Sequence, residues 1–165
     1  MRVEPFDEDD WVAFREIRLR SLLDSPDAFG STYGEESSHS ESTWQDWAAG
    51  RWRGGTAIAL AGRDPTGAVV GTATGAEFEA EPGVAHLYAM WVAPDARGAG
   101  VGRALVEAVV AWARGRGCGR VVLSVTETNR TARGFYEACG FADTGERRPL
   151  REGSDLDVLI LARTL

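Results

Sequence analysis

The amino-acid sequence predicts a mixed α/β fold in one domain spanning residues 1–165, and three observations lead to this fold class. The chain has 165 residues, of which 44% are hydrophobic, so it can build one packed core. Apolar residues recur with the 3.6-residue helical period between Val101 and Trp112. Short apolar runs bounded by turn residues surround that segment, as is typical of strands.

The N-terminal third of the chain predicts one strand followed by two helices. Residues 1–6 form the strand, and Asp7 to Asp10 supply the N-cap and first-turn acids of a helix that reaches about Leu23. A shorter helix begins at Ser42 and ends before Gly54-Gly55, since paired glycines interrupt a helical pattern.

The remainder of the chain alternates strands and helices. Two strands joined by a turn-rich connection predict an antiparallel hairpin. A strand, a helix and a further strand then predict one right-handed crossover, so those two strands should be parallel neighbours with a ligand at their carboxyl ends. The predicted strands are Thr56–Ala61, Ala68–Ala80, Val84–Val92, Arg120–Thr126, 141–148 and 155–163; one helix runs from Val101 to Gly115 or Gly117, and another from Thr128 or Asn129 to Gly140.

Charge and cysteine usage exclude several classes of protein. The net charge is -7, and an acidic surface repels phosphate backbones, so we expect no nucleic-acid partner. The N-terminus lacks a secretory signal and no uncharged run is long enough to span a bilayer, so we expect no membrane partner and a cytoplasmic location. Cys118 and Cys139 lack metal-ligand spacing, which favours free buried thiols and no metal.

A glycine-rich segment between a predicted strand and a predicted helix, Val92–Arg103, is the strongest functional signal. Glycines let a backbone approach a ligand closely, and the amides of a helix N-terminus attract phosphate. The third glycine, Gly102, falls one residue too early for a dinucleotide-binding loop. Arg103-Ala104 stand where a P-loop needs Lys and a hydroxyl. A phosphate site and a turn without a ligand are the interpretations left open by this loop alone.

A second motif, N-x-x-A-x-x-F-Y-x-x-x-G-F, occupies Asn129–Phe141. By itself it is typical of an ordinary helix with aromatic residues in the core. Together with the R-x-x-G-x-G pattern of Arg97–Gly102, in this order around one crossover, it resembles the GNAT acetyltransferase superfamily. The resemblance implies a mostly antiparallel sheet of six to seven strands with a central, splayed parallel pair, flanked by about four helices.

The resemblance implies an acetyl-CoA-dependent N-acetyltransferase with acetyl-CoA as co-substrate. The pyrophosphate would rest on the glycine loop, the pantetheine arm would pair with the strand before it, and Tyr136 would protonate the departing thiolate as general acid. A primary amine, from a small molecule or a peptide N-terminus, would attack the thioester directly. The implied cofactor-binding residues are Met90, Trp91, Val92, Arg97, Gly98, Ala99, Gly100, Val101, Gly102, Arg103, Asn129, Ala132 and Phe135.

The base that deprotonates the amine is left open by the sequence. Some N-terminal acetyltransferase relatives carry Glu five residues before the motif Asn, a position that is Ser124 here. His86, whose ordinary pKa lies near 6.5, and Glu77 are the leading candidates, and a water chain is the alternative. Further candidates are Glu79, Tyr88 and Glu127.

The acceptor pocket is expected from residues 24–50 and the final hairpin. Tryptophans at positions 44, 47 and 52 form either an aromatic wall or packing anchors, and nearby acids either attract a cationic amine or form a solvated face. These acids are Asp24, Asp27, Glu35, Glu36 and Glu41. A non-catalytic acyl-CoA-binding sensor is the alternative function, and pairing of the final strand suggests a homodimer.

Overall fold

The computed structural model describes residues 1–165, and it contains eight strands and five α-helices. Short 3-10 turns at Pro26–Ala28 and Pro94–Ala96 connect some of them. The strands are β1 (Arg2–Pro5), β2 (Arg51–Trp52), β3 (Gly55–Arg63), β4 (Val69–Glu77), β5 (Val84–Val92), β6 (Arg120–Thr126), β7 (Ala142–Pro149) and β8 (Asp157–Thr164). The helices are α1 (Trp11–Asp24), α2 (Tyr33–Ser37), α3 (Glu41–Ala48), α4 (Val101–Gly115) and α5 (Arg130–Ala138).

One sheet runs through the molecule in the order β1-β3-β4-β5-β6-β8-β7, with β2 paired to β3. All neighbours are antiparallel except β5 and β6. That parallel pairing covers only Val84 to His86 on β5, opposite Arg120 to Val122 on β6. Beyond His86 the two strands separate, which leaves their facing backbone groups available to a ligand. The predicted fold class and the splayed parallel pair are confirmed.

A β-bulge changes the direction of β5 at the place where the two strands separate. The register with β4 shifts between Thr72 and Thr74, and Ala89 has a φ of 52°, a left-handed conformation that is costly for an alanine. Leu87 packs in the core on the α4 side, whereas Trp91 packs in the core on the opposite side. Without the bulge, Leu87 and Trp91 would point to the same face of the sheet; with it, they point to opposite faces.

Two apolar cores cover the two faces of the sheet. On one face, α4 buries its apolar stripe against the sheet, and β3 approaches it closely: a Cβ at Gly62 would lie 2.7 Å from Val101 Cγ1. On the other face, α1 and α3 pack through Phe14, Leu22 and the fully buried Trp44. Helices on both faces thus fix the central strands that shape the cleft.

Several sequence-based expectations need correction. The N-cap of α1 is Asp10, within the expected run, but its side chain makes no cap hydrogen bond and no acid lies in the first turn. The Asp7 carboxylate instead accepts the amides of Asp9 and Asp10 before the helix begins at Trp11. Helix α2 was not expected, although Thr32 and Glu35 form a capping box that signals it.

Both edges of the final strand are occupied, which removes the basis for the expected homodimer contact. Strand β8 lies between β6 and β7, so β7 is the open edge. The sheet also exceeds the expected strand number because β2 is present, and a fifth helix joins the expected four. None of the helices is both long and apolar enough to traverse a bilayer.

Candidate active site

The N-terminus of α4 presents unpaired amides at the end of the glycine loop. Gly98 and Gly100 have φ values of 80° and 84°, which a residue with a Cβ adopts only at a cost. Gly100 is the N-cap and supplies no side-chain cap, so the first three helical amides have no partner within the helix. By contrast, α2, α3 and α5 are capped by Thr32, Ser40 and Asn129. The uncapped helix start suits an anion.

A cleft of about 730 Å³, here called the donor cleft, extends from this helix start along the splayed part of β5 to α5. Of the thirteen residues implied to bind the cofactor, Ala99 and Val101 do not line it, and Val101 is buried in the core instead. The other eleven do line it: Met90, Trp91, Val92, Arg97, Gly98, Gly100, Gly102, Arg103, Asn129, Ala132 and Phe135.

Two arginines of the donor cleft hold its walls in place. Arg97 donates from Nε to the carbonyl of Val92 at 3.0 Å and pairs with the Asp24 carboxylate at 3.3 Å. Asp24 also accepts the indole N–H of Trp91 at 3.0 Å. The hydrogen bond from Ser25, followed by those from Trp91 and Arg97, lowers the Asp24 pKa. Arg97 therefore ties the loop to α1. Arg103 donates to the carbonyl of Ala138 and ties α4 to α5.

A second cavity of about 420 Å³, here called the acceptor pocket, is lined by parts of β5, β6, β7 and β8. The two cavities share four residues, Ala28, Phe29, Met90 and Tyr136. Tyr136 is the only one of the four that carries a dissociable proton. Its side chain is 9% exposed, and burial raises the pKa of its hydroxyl, so the phenol stays protonated at neutral pH.

The acceptor pocket contains four arginines and no carboxylate. They come from distant parts of the sequence: Arg18 from α1, Arg53 from the turn after β2, Arg148 from β7, and Arg151 from the loop after β7. None of the four is predicted by the sequence, because no motif or spacing connects them. Besides Tyr136, the hydroxyl-bearing side chains of the pocket are Tyr88, Ser31 and Ser124.

The expected aromatic wall of the acceptor pocket is reduced to one tryptophan. Trp44 is fully buried and Trp47 packs beside it, whereas only Trp52 lines the pocket. Trp52 contacts Tyr88 edge to face, with ring centroids 4.8 Å apart. The first two tryptophans are thus packing anchors, and Trp52 joins that packing to the pocket.

The structure places both leading base candidates outside the two cavities. Glu77 forms an ion pair with Arg116 at 2.6 Å, and that contact lowers the pKa of its carboxyl. His86 lies 2.8 Å from Glu81 and stacks on Tyr88. Neither residue lines the donor cleft or the acceptor pocket.

The acidic residues considered for attraction of a cationic amine also lie elsewhere. Glu36 is buried and forms two 2.8 Å hydrogen bonds with Arg18, and Glu35 caps α2. Asp24 pairs with Arg97, as described above. None of the five acids lines either cavity, and the same holds for both cysteines, which are free and buried.

Comparisons with known proteins agree with this geometry. The family model described as Acetyltransferase (GNAT) family matches residues 11–141. The mycothiol acetyltransferase of Salinispora arenicola is 33% identical over 139 residues, covering 82% of this chain and 41% of that protein. The aminoglycoside N(6')-acetyltransferase type 1 of Klebsiella aerogenes is 41% identical over 69 residues, covering 42% of this chain and 45% of that protein.

Solved structures share the fold. The ribosomal-protein-alanine N-acetyltransferase of Brucella melitensis superposes with a TM-score of 0.79 at 22% identity, over 100% of both chains. The protein yncA of Salmonella typhimurium, solved with its cofactor acetyl-CoA, gives 0.78 at 22% identity over 100% of this chain and 94% of the other. At these identities the likeness shows the fold alone. The chain spans less than half the length of the curated relatives it matches.

Proposed function

Since the chain belongs to the acetyltransferase (GNAT) family, we propose that it transfers an acetyl group from acetyl-CoA to an amine. The observation that carries the proposal is that Tyr136 lines both the donor cleft and the acceptor pocket. An acyl donor in one cavity and an amine in the other would meet beside this hydroxyl. A cofactor-binding module without chemistry has no need of the second cavity.

The donor cleft supplies the groups that acetyl-CoA requires. The unpaired amides at the start of α4, residues 101–103, would hold the pyrophosphate, and Arg97 and Arg103 add positive charge beside them. The edge of β5 left free by β6 would pair with the amide groups of the pantetheine arm. The backbone beyond the bulge at Ala89, from Met90, would lie beside the thioester, where an amide would stabilise negative charge on the carbonyl oxygen.

The chemistry that follows is direct attack of the amine on the thioester carbonyl. The bond between carbon and nitrogen forms, the bond between carbon and sulfur breaks, and the nitrogen loses one proton while the sulfur gains one. Tyr136 would deliver the proton to sulfur, because its raised pKa keeps the hydroxyl protonated. Neither cysteine lines either cavity, so the route needs no covalent acyl-enzyme.

Removal of the proton from the attacking amine is assigned to solvent. No carboxylate or imidazole lines the acceptor pocket, while Ser31, Ser124 and Tyr88 would bind ordered water there. The acidic limb of the pH–rate profile should then follow the pKa of the acceptor amine. It should stay in place in His86→Ala and Glu77→Gln; movement of this limb in either variant would restore that residue as the base.

The proposal is tested by thiol release from acetyl-CoA in the presence of a panel of primary amines, with binding of CoA measured in parallel. We expect CoA to bind and at least one class of amine to be acetylated, as verified by the mass of the product. Binding of CoA without acetylation of any amine would refute catalysis and support the sensor alternative.

A further inference from the structure

We propose that the acceptor is a small amine that also carries an anionic group, a carboxylate or a phosphate, bound by the arginines of the acceptor pocket. This inference rests on the proposed acetyl transfer and identifies the substrate class for the same site. The amine would lie at the Tyr136 end of the pocket, and the anion would lie toward Arg53 and Arg148.

The charge of the pocket is opposite to the charge of the chain. Acidic residues outnumber arginines 25 to 18 in the sequence, which contains no lysine. Among the residues that line the acceptor pocket, however, four are arginines and none is acidic. Three carboxylates outside the lining, those of Glu36, Glu146 and Asp27, lie within 4.0 Å of these arginines, which leaves an excess of one positive charge. This excess favours an anion over a polycationic amine.

Two of these arginines have donors to spare. Arg53 uses Nη2 to donate to Ser31 Oγ at 3.0 Å and stacks over Trp52, with its guanidinium carbon 4.7 Å from the ring centroid. Arg148 directs Nε and Nη2 at the Glu146 carboxylate, at 2.7 and 2.5 Å, and keeps the donors of Nη1 free of it. A guanidinium carries five N–H donors in a planar fork that matches a carboxylate or a phosphate, so each arginine retains donors for a ligand.

The other two arginines position the wall. Arg151 donates to the carbonyls of Phe29 and Pro26 and so ties the loop after β7 to the turn that ends α1. Arg18 is 6% exposed and is held by Glu36, yet its Nη1 is buried without a hydrogen-bond partner. The Arg18 charge is therefore poorly solvated, which favours a negative charge in the adjacent pocket.

The backbone at Arg53 supports a role for its side chain. Strands β2 and β3 pair Trp52 with Gly55, so Arg53 and Gly54 form a two-residue turn with φ values of 50° and 76°. This turn type favours Asn, Asp or Gly at its first position. An arginine there adopts a left-handed conformation that costs free energy, as is common where a side chain serves a site.

Both guanidinium groups also act on one hydroxyl at the pocket. Burial is the main influence on Tyr88 and raises its pKa, while the charges of Arg53 and Arg148 oppose that increase. The two arginines, although 95 residues apart in the sequence, line one cavity together with Tyr88. The volume of about 420 Å³ suits a small-molecule acceptor.

The test compares matched amines in the thiol-release assay. One pair is an amino acid and its C-terminal amide; the other is phosphoethanolamine and ethanolamine. We expect kcat/KM to be at least about 10-fold higher for the anionic member of one or both pairs, as charge-assisted hydrogen bonds would give. The pair that shows the larger ratio identifies the anion. The amine of the amino-acid amide is less basic than that of the amino acid, so more of it is unprotonated and reactive at neutral pH. A preference for the amino acid would therefore not be explained by amine basicity.

Variants of the pocket arginines test whether the acceptor pocket causes the preference for anionic amines. Arg53→Gln and Arg148→Gln should each reduce the anionic-to-neutral ratio of kcat/KM by about 10-fold while the Kd of CoA stays unchanged. Arg114→Gln is the matched control, because Arg114 is exposed on α4 and lines neither cavity. Acetylation of neutral amines as fast as anionic ones, or an unchanged ratio in both variants, overturns the inference and leaves acetyl transfer standing. Binding of CoA without turnover of any amine overturns both.

Discussion

The donor cleft and the acceptor pocket meet at Tyr136 but are built from different parts of the chain. The donor cleft depends on backbone: the unpaired amides at the start of α4 and the free edge of β5. The acceptor pocket depends on side chains brought from α1, the turn after β2, and the β7 region. In the proposed function, backbone groups would bind the acetyl-CoA donor, whereas side chains would select the acceptor amine.

The largest effect is expected at the residue that belongs to both cavities. Tyr136→Phe removes the proton donor with little change in shape, so kcat should fall by about 10²- to 10⁴-fold while the Kd of CoA stays similar. Steady-state kinetics and titration with CoA measure the two quantities. Tyr33→Phe is the control, because Tyr33 is exposed and lines neither cavity. A Tyr136→Phe enzyme with wild-type kcat would remove Tyr136 from the chemistry.

Among the residues that support the wall of the acceptor pocket, Glu36 should have the largest effect on the free energy of unfolding when it is replaced. Glu36→Gln leaves the charge of Arg18 buried without its partner, so the free energy of unfolding should decrease by about 3–5 kcal/mol. Denaturant titration measures this loss. Glu16→Gln, an exposed change on α1, should stay within about 0.5 kcal/mol of the wild type. Equal stability of Glu36→Gln and Glu16→Gln would mean that the buried pair does not support this wall.

Binding of CoA in the donor cleft should depend on backbone conformation rather than on charged side chains. Gly100→Ala forces a residue with a Cβ into a left-handed conformation, which costs about 1–2 kcal/mol and displaces the amides of α4, so the Kd of CoA should rise about 10-fold. Gly67→Ala imposes the same conformation, at a φ of 92°, in a turn that does not line the cleft. Both variants should lose stability, but only the first should lose affinity for CoA. Similar CoA affinity in the two variants would contradict the assignment.

The smallest effect is a pH dependence carried by Glu36. Burial alone would raise its pKa, but the hydrogen bonds and charge of Arg18 outweigh burial and lower it. A carboxyl whose pKa is lowered by folding stabilises the protein above its unfolded pKa, near 4.5, and that stabilisation is lost as the pH falls through the folded pKa. Melting temperatures measured from pH 7 down to about pH 3 should therefore fall more for the wild type than for Glu36→Gln, and the difference should arise below about pH 4.5. Parallel curves would show that Glu36 does not carry this dependence.

The difference between the donor cleft and the acceptor pocket also explains which features could be predicted from the sequence. Strands β5 and β6 were predicted with their observed bounds, and the glycine loop and α5 were located, because contiguous residues form each of them. The acceptor pocket escaped prediction because residues 18, 53, 148 and 151 come together only through the sheet order. His86 and Glu77 were chosen for their chemistry and their strands, but side-chain direction and ion pairing place them outside the cavities. Helix α2 was missed although its capping box was visible in Thr32 and Glu35.

The most direct test of the central claim is whether both cavities are occupied at the same time across Tyr136. A conjugate in which one CH2–CO unit joins the sulfur of CoA to the nitrogen of the acceptor amine would occupy both cavities at once. Isothermal titration should give a Kd about 100-fold below that of CoA, and both Gly100→Ala and Arg148→Gln should weaken binding. A conjugate that binds no more tightly than CoA would contradict the claim that these two cavities form one active site.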